Sequence, residues 1–261
     1  MSKQNKTRVI VESILPGASE KLLDVSRVYK EVFAGFPWYE DKVCSGIRTG
    51  ECKVQYTPQK LPKKFEWAFA PGKNEGVVGD VNFDSQKNCI ICNRILIDFY
   101  PDFVDQDELI AEATGKEGFI GYVLRDEDLT PIGFSWGYKL PEERTKSVDF
   151  PAINPLLQKL SINPSRAFYG AELGIVDKRR REGLGFLASA TRINAARLVD
   201  YEWFVVRTKN EAALSILKRV FSNQIKGLFD DPERGTPWYA CNFKDFDKPG
   251  VQKKLEQIAG T

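Results

Sequence analysis

Residues 172–186 read ELGIVDKRRREGLGF, and this stretch decides the fold. The apolar run that ends at Val176 predicts a buried strand. The arginines and the glycines Gly183 and Gly185 then predict a turn that opens a helix. The first amides of a helix have no acceptor inside it, and glycine lets an anion approach the backbone closely. The sequence therefore predicts an anion-binding turn between a strand and a helix.

The segments on either side alternate between strands and helices. Helical spacing predicts helices over 19–34, 102–114, 154–160, 184–198 and 211–221. Strands are predicted over 7–14, 168–176 and 201–206, as a hairpin of 119–124 with 130–138, and once or twice within 227–243. This order predicts an α+β fold with a mixed sheet.

Bulk composition excludes several classes of protein. The 261 residues suffice for one large domain or for a domain with an insertion. The net charge of +2 is too small to indicate a nucleic-acid-binding protein. The N-terminus lacks the apolar core of a signal peptide, and no run approaches the roughly 20 apolar residues of a membrane helix. We therefore expect a cytoplasmic protein.

The chain contains no histidine. A catalytic pair of histidine with serine or cysteine is therefore excluded, as is a histidine-ligated metal. General acid–base chemistry must fall to a carboxylate, tyrosine, lysine, thiol or water.

Residues 40–95 differ from the rest of the chain. They hold four of the five cysteines, many lysines and several turn signals, with no long periodic segment. This pattern predicts a loop-rich module inserted into a domain formed by 1–39 and 96–261.

Cys44, Cys52, Cys89 and Cys92 are candidate metal ligands. Cys89 and Cys92 form a C-x-x-C pair, and four thiolates satisfy a tetrahedral, structural zinc ion. Metal binding would supply folding energy to a module with little core of its own. Two alternatives are buried small apolar residues and a redox pair. Cys241 is expected in the core of a late strand.

Residues 168–221 resemble the core of the GNAT acetyltransferase superfamily, and the first strand, first helix and hairpin fit its plan more loosely. That family carries an Arg/Gln-x-x-Gly-x-Gly/Ala turn between its fourth strand and third helix, matched here by Arg180, Gly183 and Gly185. The resemblance implies a mixed, mostly antiparallel sheet flanked by helices, with the cysteine module as a small zinc-ribbon-like insertion.

Further residues of the family pattern follow the turn. Asn210, Ala213 and Phe221 stand at fitting positions in RTKNEAALSILKRVF. The stretch 183–188 also satisfies the looser dinucleotide form G-x-G-x-x-A. A dinucleotide site needs an acid after the next strand, but that strand runs into Arg207. Binding of a dinucleotide is therefore a much weaker interpretation than the binding of CoA that the resemblance implies.

The resemblance implies a role for each matching residue. The backbone near Ile175 and Val176 would bond the pantetheine arm of acetyl-CoA, and Asn210 would lie near the pantetheine or the thioester. The CoA pyrophosphate would bind the turn formed by Arg180, Arg181, Glu182, Gly183, Leu184 and Gly185, through backbone amides supported by arginine charge.

The implied reaction is direct attack of a primary amine on the thioester carbonyl. It needs a base or water for the amine proton, and a strand amide can polarise the carbonyl. Glu172 lies on the fourth strand, where several relatives place a base. A surface glutamate or a structural hydrogen bond is the alternative.

The chain departs from the family at Leu217, where many members carry a tyrosine that serves the leaving thiolate. Val220 likewise replaces the usual glycine before Phe221. Tyr169 and Tyr239 are conceivable substitutes for the acid, although packing is the commoner role of such aromatics.

Two functions from different classes follow. The first is an N-acetyltransferase that moves an acetyl group from CoA to a small-molecule or peptide amine. The second is a zinc-stabilised protein that binds CoA, another protein or RNA without catalysis. The sequence does not identify the acceptor. It also does not show whether the protein is a monomer or a homodimer.

Overall fold

The computed structural model describes most of the chain outside its cysteine-rich segment. The described residues are 8–15, 19–34, 42–47, 52, 55–56, 88–89, 92–98, 100, 102, 105–140, 153–208, 210–230 and 237–259. The chain forms two compact units, Met1–Val28 with Ala111–Thr261 in the first and Tyr29–Ile110 in the second. The predicted insertion, 40–95, falls within the second unit, mostly outside the described residues, and its boundaries stay a prediction.

The secondary structure follows the predicted alternation. The strands are β1 (Ile10–Ile14), β2 (Lys42–Cys44), β3 (Gln55–Tyr56), β4 (Leu96–Asp98), β5 (Ile120–Arg125), β6 (Pro131–Lys139), β7 (Ala167–Ile175), β8 (Trp203–Arg207), β9 (Lys226–Asp230) and β10 (Pro237–Asn242). The helices are α1 (Ser19–Ala34), α2 (Gln106–Thr114), α3 (Ile153–Lys159), α4 (Leu184–Leu198), α5 (Glu211–Val220) and α6 (Lys248–Ala259). Within the described ranges, none of these helices combines the length and apolar character that a membrane crossing needs.

The first unit contains a mixed sheet of seven strands in the order β1-β5-β6-β7-β8-β10-β9. Neighbouring strands are antiparallel except β7 and β8, which are parallel. The sheet is mostly antiparallel and flanked by helices, which confirms the predicted α+β class with a mixed, mostly antiparallel central sheet. In the second unit, β3, β2 and β4 form a three-stranded antiparallel sheet.

The parallel strands β7 and β8 pair over only three residues each. Their register runs from Ala167 opposite Trp203 to Tyr169 opposite Val205. Beyond Tyr169, β7 continues to Ile175 with β6 as its partner, whereas its pairing with β8 has ended. The second half of β7 therefore has a backbone edge that no described strand covers.

A β-bulge separates the two halves of β7. Gly137 of β6 pairs with Gly170, but the preceding residue of β6, Trp136, pairs with Glu172, so Ala171 is one residue extra. A bulge bends a strand and increases its twist. The extra residue therefore turns β7 just where its pairing with β8 has ended.

Apolar clusters hold helices against both faces of this sheet. On one face, Phe204 of β8 packs in a cluster with residues of α4, α5 and α6. On the other, Trp203 packs with Ile153 and Leu157 of α3. Because successive strand residues point to opposite faces, the adjacent Trp203 and Phe204 serve different clusters.

Helix α6 is not predicted from the sequence pattern. Pro249 and Gly250 are typical of a turn, yet proline is also tolerated in the first turn of a helix. The Gly250 amide donates to Asp247 Oδ1 over 3.0 Å, so this carboxylate caps the helix. Val251 and Ile258 then pack with the cluster that lies beside α4 and α5. Tertiary packing thus fixes a helix whose surface is mostly polar.

Gly170 provides a test of the packing at the bulge. A Cβ added there would lie 2.4 Å from Phe204 Cζ and 3.2 Å from Arg192 Nη2. Gly170→Ala should therefore lower the free energy of unfolding by about 1–3 kcal/mol in chemical denaturation, because it overpacks the core. Gly227→Ala is the matched control, since its added Cβ would meet Tyr239 Cε1 at an ordinary 3.4 Å. Equal stability of the two variants would contradict this view of the bulge.

Candidate functional site

The uncovered edge of β7 leads directly to the anion-binding turn. The Val176 amide donates to Ile132 O over 3.0 Å and therefore faces β6. Because strand residues alternate in direction, the backbone groups of Leu173 and Ile175 face the uncovered edge. The Ile175 carbonyl accepts a bond from Arg180 Nε over 3.1 Å. Of the two backbone positions expected to bind pantetheine, Ile175 thus lies on the open edge, while the amide of Val176 is used by the sheet.

The turn itself has the backbone conformation that its glycines allow. Gly183 precedes α4 with a φ of 86°, in the left-handed region, and Arg181 has a φ of 67°. The Gly183 carbonyl already accepts from the Leu187 amide over 3.0 Å, as the first bond of the helix. No side chain caps Gly183, so the amides of the first turn of α4, from Leu184 to Phe186, point outward without an intrahelical acceptor. This is the geometry of an anion site.

The three arginines of the turn have different environments. Arg179 forms ion pairs with Asp126 and Glu182, and its side chain is only 12% exposed. Arg180 bonds Ile175 and pairs with Asp177 over 3.2 Å. Arg181 is exposed and, among the described residues, forms no ion pair. Two arginines therefore fix the turn, and the charge of Arg181 remains toward solvent.

Arg192 is a buried cation that the sequence analysis did not single out. Its side chain leaves α4 and donates from Nη1 to Trp136 O over 2.5 Å and to Glu172 O over 2.7 Å. Both carbonyls lie at the bulge, and the guanidinium carbon stands 5.6 Å from the centre of the Phe204 ring. Burial lowers the pKa of Arg192 to about 10, which leaves it charged at neutral pH. Arg192 thus links β6 and β7 at the bulge through a hydrogen bond to one carbonyl of each strand.

Glu172 lies on this bulge, on the face opposite to α4. Paired residues of neighbouring strands point to the same face, so Glu172 shares a face with Trp136. Its side chain is half-buried, and its charge raises the pKa of Arg192 against the larger effect of burial. The carboxylate is therefore electrostatically coupled to the buried cation, although Glu172 points to the face of the sheet opposite to α4, which carries Arg192.

The residues considered for the general acid occupy packing positions. Leu217 is 5% exposed and belongs to the cluster beside α4. The Tyr169 ring packs between Tyr138 and Trp238, with ring centroids 5.6 and 5.8 Å away. Tyr239 lies half-buried on β10. Leu217 therefore cannot serve a thiolate, and Tyr169 has a structural contact on each side.

Asn210 caps α5. Its Oδ1 accepts the amides of Ala212 and Ala213 over 2.9 and 3.3 Å. Its own amide donates to Thr208 Oγ1 over 3.0 Å. The side-chain oxygen is thus bonded to the helix, which leaves the amide nitrogen of the side chain for any ligand.

The cap predicts that the side-chain oxygen of Asn210 stabilises α5. Asn210→Ala should lower the free energy of unfolding by about 1 kcal/mol in chemical denaturation, because two helix amides lose their acceptor. Asn210→Asp keeps a capping oxygen and should retain wild-type stability. An alanine variant as stable as the wild type would show that the cap is dispensable.

The four candidate metal ligands come together in the second unit. Their Sγ atoms all lie within 4.8 Å of one another, with Cys44 and Cys92 3.4 Å apart and Cys52 and Cys89 3.6 Å apart. Zinc–sulfur bonds of about 2.3 Å would place the sulfurs of a tetrahedral site roughly 3.8 Å apart, close to these spacings. The Gly46 amide also points at Cys44 Sγ over 3.3 Å, as a donor to a thiolate would. The donor set fits a closed structural metal site.

No family model and no curated protein matches the chain. Among solved structures, the chain is similar to a GCN5-related N-acetyltransferase from Kribbella flavida, with 10% identity over 90% of this chain and 98% of that one and a TM-score of 0.45. It is also similar to a nourseothricin acetyltransferase, with 10% identity, 90% and 99% coverage and a TM-score of 0.38. The ribosomal-protein-S18-alanine N-acetyltransferase of Escherichia coli has 12% identity, 52% and 76% coverage and a TM-score of 0.35.

Proposed function

We propose that the chain is a CoA-dependent N-acetyltransferase. The observation that carries the proposal is the uncovered edge of β7, which ends at the turn before α4. A strand edge offers a row of amides and carbonyls to an extended ligand with amide groups of its own. The helix amides beyond it offer a site for phosphate. Acetyl-CoA joins these two chemistries in one molecule, since a pantetheine arm with two amides precedes its pyrophosphate.

The binding roles follow from the direction of each backbone group. Leu173 and Ile175 would bond the pantetheine, because their amides and carbonyls face away from β6. The amides from Arg181 to Gly185 would bind the pyrophosphate, with the exposed charge of Arg181 in support. Asn210 would reach the cofactor only through its side-chain nitrogen, since its oxygen caps α5.

In the proposed reaction, a neutral amine attacks the thioester carbonyl. The new carbon–nitrogen bond forms as the carbon–sulfur bond breaks, and the amine proton passes to Glu172 or to water. A β7 amide at the open edge would polarise the carbonyl oxygen. The proton then goes to the departing CoA thiolate or to solvent, because Leu217 offers none. Glu172 is suited to the base because it lies at the bulge, where the open edge begins.

Release of free CoA thiol from acetyl-CoA, measured against a panel of amines, tests this function. Glu172→Gln should lower kcat about 100-fold or more, because a positioned base contributes 10²- to 10⁴-fold. The KM for acetyl-CoA should stay near the wild-type value. Glu202→Gln, at an exposed residue paired with Arg166, is the matched control and should keep full activity. A fully active Glu172→Gln enzyme would overturn the assignment of the base.

A non-catalytic CoA-binding protein is the second candidate function. The observation that favours it is Leu217, which lies in the core where many members of the resembling family place an acid. Tight binding of CoA without thiol release on any amine would support this candidate and reject the enzyme.

We also propose that the four clustered cysteines bind one structural zinc ion. Four thiolates would complete the tetrahedral coordination of the ion and leave no position for a substrate. The metal would therefore stabilise the fold of the second unit rather than act in catalysis. The redox alternative requires Cys89 and Cys92 to bond each other, whereas the structure places Cys89 Sγ 3.6 Å from Cys52 Sγ and Cys92 Sγ 3.4 Å from Cys44 Sγ.

Metal analysis of purified protein should give about one zinc per chain. Cys44→Ser should lose the metal, because three thiolates bind zinc more weakly. Cys241→Ala should keep it, because Cys241 lies buried in the first unit. Chelation should expose four thiols to a thiol reagent at pH 8, while burial raises the pKa of Cys241 and keeps it unreactive. Metal-free protein with an oxidised cysteine pair would favour the redox alternative.

A further inference from the structure

Helices α5 and α6 enclose a groove of about 440 Å³ whose walls carry a surplus of positive charge. The charged residues that line it are Lys218, Arg219, Lys253, Lys254 and Asp247. Among the described residues, none of the four cations forms an ion pair. Asp247 is engaged as the cap of α6 through the Gly250 amide. The groove is therefore a cationic site whose single carboxylate already has a partner.

The groove borders the first turn of α4, directly after the anion-binding turn. Phe186, in the first turn of α4, forms part of its wall. A Cβ added to Gly183 would lie 3.0 Å from Ile258 of α6, and one added to Gly185 would lie 3.3 Å from Ile216 of α5. Helices α5 and α6 thus both pack against the turn, and Phe186 links the turn to the groove between them. An anionic group next to a phosphate bound at the turn would therefore lie close to the cations of this groove.

We propose that this groove binds the 3′-phosphate of CoA. The proposal rests on the proposed function, because it takes the pyrophosphate of CoA to bind at the turn. CoA carries its pyrophosphate and its 3′-phosphate on the same ribose, so a second, doubly charged phosphate lies one sugar away from the first. Lysine and arginine side chains form strong charge-assisted bonds with such a group. Lys253 and Lys254 belong to α6, which lies outside the stretch that resembles the acetyltransferase core.

Dephospho-CoA is the direct probe, because it lacks only the 3′-phosphate. Isothermal titration should show that the wild-type chain binds CoA at least about tenfold more tightly than dephospho-CoA, and that added salt narrows the difference. The double variant Lys253→Gln/Lys254→Gln should bind CoA about tenfold more weakly and dephospho-CoA as the wild type does. Retained binding of dephospho-CoA also shows that the variant is folded.

The matched control is Lys244→Gln/Lys248→Gln, which removes two nearby charges that do not line the groove. It should keep the preference for CoA. Equal affinity of the wild-type chain for CoA and dephospho-CoA would overturn the groove proposal and leave the proposed function standing. If the wild-type chain binds neither CoA nor dephospho-CoA, both the groove proposal and the proposed function are rejected. A loss of preference in the control variant as well would assign the effect to general surface charge and overturn the groove proposal.

Discussion

The first unit depends on the contact between the Arg192 guanidinium and the two carbonyls of the bulge, Trp136 O and Glu172 O. Burial of a cation costs several kcal/mol unless its donors are satisfied. Bulge carbonyls in turn lose regular partners, because the ladder is disrupted there. Arg192 Nη1 and the two carbonyls satisfy one another and so stabilise the bulge in a buried sheet, while Arg192 Nε has no hydrogen-bond partner among the described residues. Without the bulge, β7 would lack the bend that follows the end of its pairing with β8 at Tyr169.

The same helix that stabilises the bulge also presents the anion-binding amides. Leu184 opens α4 and Arg192 lies eight residues later, so the two are about 12 Å apart along one rigid helix. The open edge of β7 spans the distance between them, from the bulge at Glu172 to the turn that follows Ile175. One helix and one strand therefore set both ends of the open edge of β7, which explains why ELGIVDKRRREGLGF carries so much of the fold.

Sequence patterns predict those parts of the structure that depend on local periodicity. The strand, glycine turn and helix around 172–198 and the C-x-x-C pair all have local signals. The bulge has none, because it arises from pairing with Trp136 far along the chain. Arg192 has a weak signal, a single cation among Ala188, Ile193 and Ala196, which are all buried. Asn210 stands directly before a helical pattern, which is a cap signal that the structure bears out, whereas the cofactor role implied by the resemblance has no local signal.

The position of Leu217 changes what the proposed reaction needs from the rest of the site. With leucine in the core, α5 offers no proton to the departing thiolate. The charges of Glu172 and Arg192 are coupled, because the carboxylate raises the pKa of the buried cation. In the proposed reaction, a Glu172 that took the amine proton would lose its charge, and Arg192 would lose the Coulombic stabilisation that this charge supplies in a medium of low dielectric constant. The departing thiolate is itself a base that can receive this proton, so the proposed reaction needs no donor on α5.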